Sequence, residues 1–294
     1  MYLRRDHEPV TLGGRQSRYE DVKANSSTLA AKVRTRLVIA LVLGRVARAR
    51  FEQAIGRTDR LVFVSTLAAL RAQMFGATML VTVVAEARDE EGAPTSPLLR
   101  EILTARPSTS IIGYCHARSA SADILDLAWA GIDELVQEGI DDEGIALRAA
   151  FTGSLEACAA RSVREAIDHL IPMALRPLVD FCLQYPQEDH SVEGLARALG
   201  VDRKTLLNHS RRLILPPPST LAMWCRLLLA AAMLESTGQS VEHVALALDF
   251  ASPSAFRNAC RRYANERPST WRAPGGLARV VRRFEADCAR CRLG

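Results

Sequence analysis

The chain has 294 residues, 48% of them hydrophobic and 24% charged, with 38 Lys and Arg against 33 Asp and Glu. Those fractions exclude a disordered, collagen-like or low-complexity chain and fit an ordinary globular protein of about two domains. No run of eighteen apolar residues occurs and the start of the chain has no signal-peptide core, so a soluble, cytoplasmic protein with no membrane partner is expected. The net charge of +5 is uneven: residues 34–151 carry 13 basic and 15 acidic side chains, whereas 172–294 carry 17 and 11. The positive surplus lies in the C-terminal part, where attraction to phosphate would need it.

Residues 1–33 are polar, contain Gly13-Gly14 and Asn25-Ser26-Ser27 and show no sustained period, which predicts a flexible N-terminal arm. Beyond the arm, strands and helices alternate as far as residue 152. Apolar runs predict strands at Leu37 to Leu43, Leu61 to Val64, Met79 to Ala85, Ile111 to Cys115 and Glu134 to Val136. Helical patterns follow them at Arg45 to Ile55, Leu67 to Phe75, Pro97 to Thr104, Ala120 to Ala130 and Asp141 to Phe151. Parallel strands need crossover helices, so five such units over 34–152 predict a small α/β doubly wound parallel sheet. Their order, with Ala130-Gly131-Ile132-Asp133-Glu134-Leu135-Val136 at the last strand, resembles the receiver domain of response regulators.

That resemblance implies acidic residues after the first strand, an Asp ending the third, Thr or Ser after the fourth and Lys after the fifth. This chain has Leu43-Gly44, Thr82-Val83-Val84, Cys115-His116 and Gln137 there, so a non-phosphorylatable pseudo-receiver is expected. Glu86, Asp89, Glu90 and Glu91 follow the third strand and read as a solvated loop instead of a metal site. Cys115 and His116 are neighbours on a strand, point to opposite faces and are poorly placed as nucleophile and base. No Gly-rich phosphate loop, G-x-S-x-G or H-E-x-x-H occurs, so no enzymatic activity, cofactor or metal is expected.

A helical connector is expected at 153–171. Then one pattern of helix, tight turn and helix occurs twice, about fifty residues apart. The first copy runs Ser191-Val192-Glu193 to Gly200-Val201-Asp202 and on through Arg203 to Leu213; the second runs Ser240-Val241-Glu242 to Asp249-Phe250 and on through Ala251 to Tyr263. Each opens on a Ser that can cap a helix, spaces its apolar residues by three and four, and turns into a segment rich in Arg and Asn. A helix-turn-helix presents a recognition helix to the major groove in this way. Ser219 to Ser236 joins the copies as one helix with an apolar face, announced by Pro216-Pro217-Pro218. Residues 172–273 are thus expected to be all-α, followed by a basic C-terminal tail at 274–294, whose lone Cys288-Ala-Arg-Cys291 reads as helix thiols.

The joined pair resembles the DNA-binding domain of the AraC/XylS family. The resemblance covers Leu175 to Arg272 and is most specific at Val244-Ala245, Phe250, Ser252, Ser254, Phe256, Arg261-Arg262-Tyr263, Pro268-Ser269 and Trp271-Arg272, with Arg226, Ala230 and Leu234 on the joining helix. Ser210 and Cys260 stand where that family usually has Phe, Asp249 and Leu215 where it usually has Gly, and Asn265 replaces another Gly. Leu215 would be strained if its backbone needs positive φ.

The resemblance implies a transcription regulator with a tandem helix-turn-helix. It offers Arg203, Lys204, Leu207, Asn208 and Arg211 to DNA from the first recognition helix, and Pro253, Ser254, Arg257, Asn258 and Arg261 from the second. Arg can read guanine and Asn adenine, whereas Lys and outlying Arg hold phosphate. Double-stranded DNA is the expected partner, RNA polymerase is a further candidate, and a second copy is expected through the last strands and helices. Ile124, Leu127, Leu135, Ile145 and Leu147 are either that surface or the domain's own core. The competing readings are a small-molecule-sensing or enzymatic α/β domain with DNA binding as its output, and an α/β module that only dimerises.

Overall fold

The computed structural model describes residues 36–55, 59–77, 81–117, 119–236 and 239–293; the arm expected at 1–33 lies outside them. Five strands, β1 (Leu37–Leu41), β2 (Arg60–Val64), β3 (Val81–Ala85), β4 (Ser110–Cys115) and β5 (Glu134–Gln137), form one parallel sheet in the order β2-β1-β3-β4-β5. That is the strand order of flavodoxin-like, doubly wound folds. Ile39 of β1 lies level with Val62 of β2 and Val83 of β3, and every residue of β1 and β3 is buried, because helices cover both faces.

Alternation along the strands divides the core in two. Leu37, Ile39 and Leu41 pack with Leu70 and Met74 of α2 (Leu67–Gly76), Leu99 and Ile102 of α3 (Ser96–Ala105) and Leu127 of α4 (Ser121–Trp129). Val38 and Ala40 face the other way, against Phe51 of α1 (Arg45–Ala54) and Leu147 and Phe151 of α5 (Gly144–Ile167). The sequence separates a last sheet helix ending at Phe151 from a connector beginning at 153. In the structure α5 is continuous over 24 residues. Its first half covers the sheet, and its second half, with Ala159, Val163 and Ile167, joins the helical core.

That second core is built around α9 (Pro218–Ser236). The expected single apolar face is a helix apolar nearly all round: Leu221, Trp224, Leu227, Leu228, Ala230, Ala231 and Leu234 are all buried, as befits a central helix. It is packed by α5, by α6 (Arg176–Gln184) and by α12 (Gly276–Leu293). The segment read as a basic tail is therefore a docked helix. Val280, Val281, Phe284 and Cys288 are buried on one stripe, and Trp224 Nε1 donates to Asp287 Oδ2 at 2.7 Å. Arg282, Arg283, Arg290 and Arg292 occupy the exposed side, so the charge that suggested a tail is one face of an amphipathic helix. Burial of Cys288 pushes its thiol up to about 12. Among the described residues no helix is long and apolar enough to cross a membrane.

Candidate nucleic-acid interface

The first helix pair is α7 (Val192–Ala198) and α8 (Arg203–Arg212); the second is α10 (Val241–Ala247) and α11 (Pro253–Ala259). All four helices are capped by their own sequence. Ser191 Oγ accepts from Gly194 N, Ser240 Oγ from His243 N and Ser252 Oγ from Ala255 N, each at 3.0 Å, and Asp202 Oδ1 accepts from Lys204 N at 2.7 Å. Each cap satisfies an amide that the first turn leaves without a carbonyl. The turns are set by left-handed residues, Gly200 at φ 64° and Asp249 at φ 54°. Val201 N then reaches back to Ala196 O at 3.0 Å and Phe250 N to Ala245 O at 2.9 Å, the bond that closes a helix end and starts the next segment. Asn265, at φ 54°, ends the second recognition segment in the same conformation.

The inner faces of α8 and α11 are buried through Leu206 and Ser210, and through Phe256 and the following Cys260. Positive φ beyond α8 falls on Ile214 (φ 53°), one residue before the Leu215 at which strain is expected; Leu215 is instead a buried apolar anchor. The outward faces carry the side chains singled out in the sequence. Arg203, Lys204 and Arg211 are exposed, while Leu207 and Asn208 are half-buried; Ser254, Arg257, Asn258 and Arg261 are exposed and Pro253 is half-buried. Two of the arginines are engaged within the protein. Arg203 Nε lies 2.9 Å from Glu193 Oε1 and Arg257 lies 2.6 Å from Glu242 Oε1, so in both pairs the Glu after the capping Ser-Val holds an Arg of the recognition helix.

A cleft of about 460 Å³ beside α11 gathers Arg257 and Arg261 with Arg267 and Arg272. Arg267 and Arg272 are absent from the sequence-derived contacts. Their only local signal is a basic residue on each side of Pro268-Ser269 and Trp271, and burial of Trp271 is what turns that loop back toward α11.

The C-terminal edge of the sheet holds a second charged cluster. Glu86, expected in a solvated loop, is buried: it accepts from Leu43 N at 2.8 Å and lies 3.3 Å from His116 Nε2. His116 Nδ1 is 3.0 Å from Glu138 Oε2. Burial pulls the imidazole down, but the bond to Glu138 and the charge of Glu86 outweigh it and raise its pKa. Asp89 is buried too, accepting from Leu67, Glu91 and Ala93 amides, so of that loop's four carboxylates only Glu90 and Glu91 are exposed. Glu86 is consumed by Leu43 and His116 and Asp89 partly by Leu67, partners too distant in sequence to be read from spacing, while the Glu91 and Ala93 amides are local to the turn.

Residues 195–274 match the family model for a helix-turn-helix domain. This segment is an AraC-type helix-turn-helix domain. No curated protein matches the chain. Among solved structures, a response regulator protein from Burkholderia pseudomallei with a phosphorylated aspartic acid is 12% identical, with a TM-score of 0.34, covering 58% of this chain and 96% of its own. Full-length FixJ from B. japonicum is 11% identical with a TM-score of 0.30, covering 74% of this chain and 98% of its own. Likenesses at this level add nothing to the strand order as the reason for describing the sheet as receiver-like.

Within the AraC-type domain Arg226 of α9 is not offered to the outside. Its guanidinium lies 5.8 Å from the Phe250 ring centre and donates to Pro186 O at 3.2 Å, and burial lowers its pKa. It ties the central helix to the turn of the second pair.

Proposed function

We propose that the chain is a cytoplasmic transcription regulator whose two helix pairs enter successive major-groove segments, Arg257 and Asn258 reading bases and Arg203, Lys204, Arg211 and Arg261 holding phosphate. The observation that carries this reading is α9: a buried helix of 19 residues, with a capped helix pair at each end. At about 1.5 Å per residue it spans about 28 Å, close to one turn of DNA. Leu207, Asn208, Pro253 and Ser254 complete the two faces. Because α8 and α11 differ in sequence, the two segments differ and each chain's site is asymmetric. Hydroxyl-radical footprinting on a genomically selected site should give two protected segments per chain, about 10 base pairs apart. Protection of one segment, or a symmetric half-site per chain, would rule out tandem reading.

The sheet domain is proposed as a regulatory module that takes no phosphoryl group, since the strand ends where a receiver needs its acidic cluster, acceptor Asp and Lys carry Leu43, Glu86, His116 and Gln137, and Glu86 is taken up by Leu43 N and His116. Incubation with acetyl phosphate and magnesium should leave DNA affinity unchanged; an acid-labile phosphate on this domain would end that reading. A dimer is proposed as well, through the flanks of edge strand β5. Leu127 and Leu147 belong to the core, whereas Leu125, Trp129 (81% exposed), Ile140 and Ile145 are exposed. Light scattering should give a dimer mass, lowered to a monomer by Trp129→Glu.

A further inference from the structure

Between α5 and the AraC-type domain lies a half-open cleft of about 420 Å³, within the size range of sites for small organic molecules. Its lining is mixed: Ala157 and Ala160 of α5, Leu183 at the end of α6, Leu229 and Met233 of α9, and Leu248 at the end of α10 supply the apolar part, and Glu156, Arg161, Arg164 and Gln184 the polar part. Both of its cations are already neutralised. Arg161 is paired with Asp133 and also donates to Thr109 O at 2.7 Å, and Arg164 lies 2.6 Å from Asp180 Oδ1. The remaining charged group in the lining is Glu156, which has no hydrogen-bond or ion-pair partner among the described residues. A second such carboxylate stands at one end: Gly153 lines the cleft, and the position of a Cβ on it would be 3.1 Å from Glu134 Oε2. Glu134 also has no ion-pair partner among the described residues.

We infer that this cleft is a binding site for an organic cation with an apolar body, its ammonium or amidinium group set against Glu156 and its body between α5 and α9. The apolar part of the lining supplies area for the body, and Glu156 and Glu134 lack a counterion among the described residues. Glu156 is an exposed residue, although desolvation by the protein around its carboxyl raises its pKa, and burial with the charges of Asp141 and Asp133 raises that of Glu134, so a bound cation would meet carboxylates that the described residues leave unpaired. The lining includes Ala247 and Leu248, immediately before the left-handed Asp249 that sets the turn into α11. An occupant would therefore touch both the last helix of the sheet domain and the base of the second helix pair. The site does not depend on how that pair meets DNA.

The test is isothermal titration calorimetry of the full chain with 1-naphthylmethylammonium and with its neutral counterpart 1-naphthalenemethanol. The ammonium should bind about tenfold tighter, the scale of one charge pair partly withdrawn from water. Glu156→Gln should reduce the ammonium to the affinity of the alcohol and leave the alcohol unchanged, and Glu156→Lys should weaken the ammonium further. Both variants change a side chain with no internal partner, and circular dichroism would verify that they fold. Lowering the pH through the raised carboxyl range should weaken the ammonium and not the alcohol. No heat from either probe, equal affinities in the wild type, or an ammonium affinity untouched by Glu156→Gln would overturn the inference.

Discussion

In the first helix pair the turn passes through Gly200, and in the second through Asp249, with backbone angles 10° apart in φ and the same pair of amide-to-carbonyl bonds closing each helix. Ser191 and Ser240 cap the opening helices alike, and Glu193 and Glu242 each hold an Arg of the helix that follows. The pairs diverge in their filling. α11 seats the aromatic Phe256 under the turn, with Phe250 4.9 Å and Trp271 6.3 Å away between ring centres. α8 has Leu206 and Ser210 there, and Ser210 Oγ is buried with no hydrogen-bond partner among the described residues. Capping and turn geometry can thus build one motif on two unlike sets of side chains, and the quality of the inner packing is free to vary. The first pair is the less well supported of the two.

The largest expected effect separates the pairs by their outward faces. Asn258 is exposed whereas Asn208 is half-buried, so the second pair should carry more of the base reading. Arg257→Ala and Asn258→Ala should each lose about 1–3 kcal/mol of binding to a selected site and much less to random DNA, measured by fluorescence anisotropy. Asn208→Ala should lose less. Equal losses on both DNAs would assign Arg257 and Asn258 to phosphate instead.

Backbone strain distinguishes the pairs next. Ile214 is β-branched and held at φ 53°, a conformation that costs an L-residue about 1–2 kcal/mol, and its side chain is half exposed. Ile214→Gly should raise unfolding stability by about 1 kcal/mol in urea titration. Asp249→Gly should gain less, because Asp tolerates the left-handed region. A loss of stability in Ile214→Gly would mean that its packing outweighs its strain.

Ser210→Ala tests the inner face more gently. Removing a buried hydroxyl without a partner relieves a desolvation cost, so the variant should be neutral or up to about 1 kcal/mol more stable in the same titration. Cys260→Ala, at the corresponding apolar position, should be destabilising. Reversal of that order would show that the first pair is not the more loosely packed.

The smallest effect compares the helical region with the sheet through pH. His190 is shifted down by burial and by the charge of Arg226, and His243 is shifted down by burial. Their contribution is present above the usual imidazole pKa of 6.5 and is lost as pH falls through the depressed values. His116 is raised, so its contribution is full below 6.5 and is lost as pH rises through its folded value. Hydrogen exchange followed against pH should therefore show the helical domain loosening on acidification and the sheet domain loosening on alkalinisation. His116→Gln should flatten only the second trend; a sheet domain indifferent to pH would remove the role given to the Glu86, His116 and Glu138 cluster.

Much of the architecture was legible because its signals are local. β1 and β3 are runs of apolar, mostly β-branched residues between helical patterns, and their near-continuous apolarity already implies burial on both sides. Ser191 and Ser240 mark helix starts because a short side-chain oxygen reaches an amide only three residues on, and the structure adds Asp202 and Ser252 as caps of the same kind. Arg203, Lys204, Arg257, Asn258 and Arg261 were nameable through the resemblance to the AraC/XylS DNA-binding domain, which assigns them to the recognition helices.

What the sequence by itself determined is the set of elements, their capped ends, the doubly wound order and the repeated helix pair, all governed by interactions over a few residues. Only the tertiary structure decided that α5 serves two cores, that α12 docks on Trp224 through Phe284 and Asp287, and that Glu86 closes on Leu43 and His116. It also decided that Arg267 and Arg272 join Arg257 and Arg261, and that positive φ falls on Ile214 instead of Leu215. Each of these joins groups distant along the chain or turns on a single backbone angle, and neither periodicity nor composition carries information about which surfaces meet once apolar area is withdrawn from water.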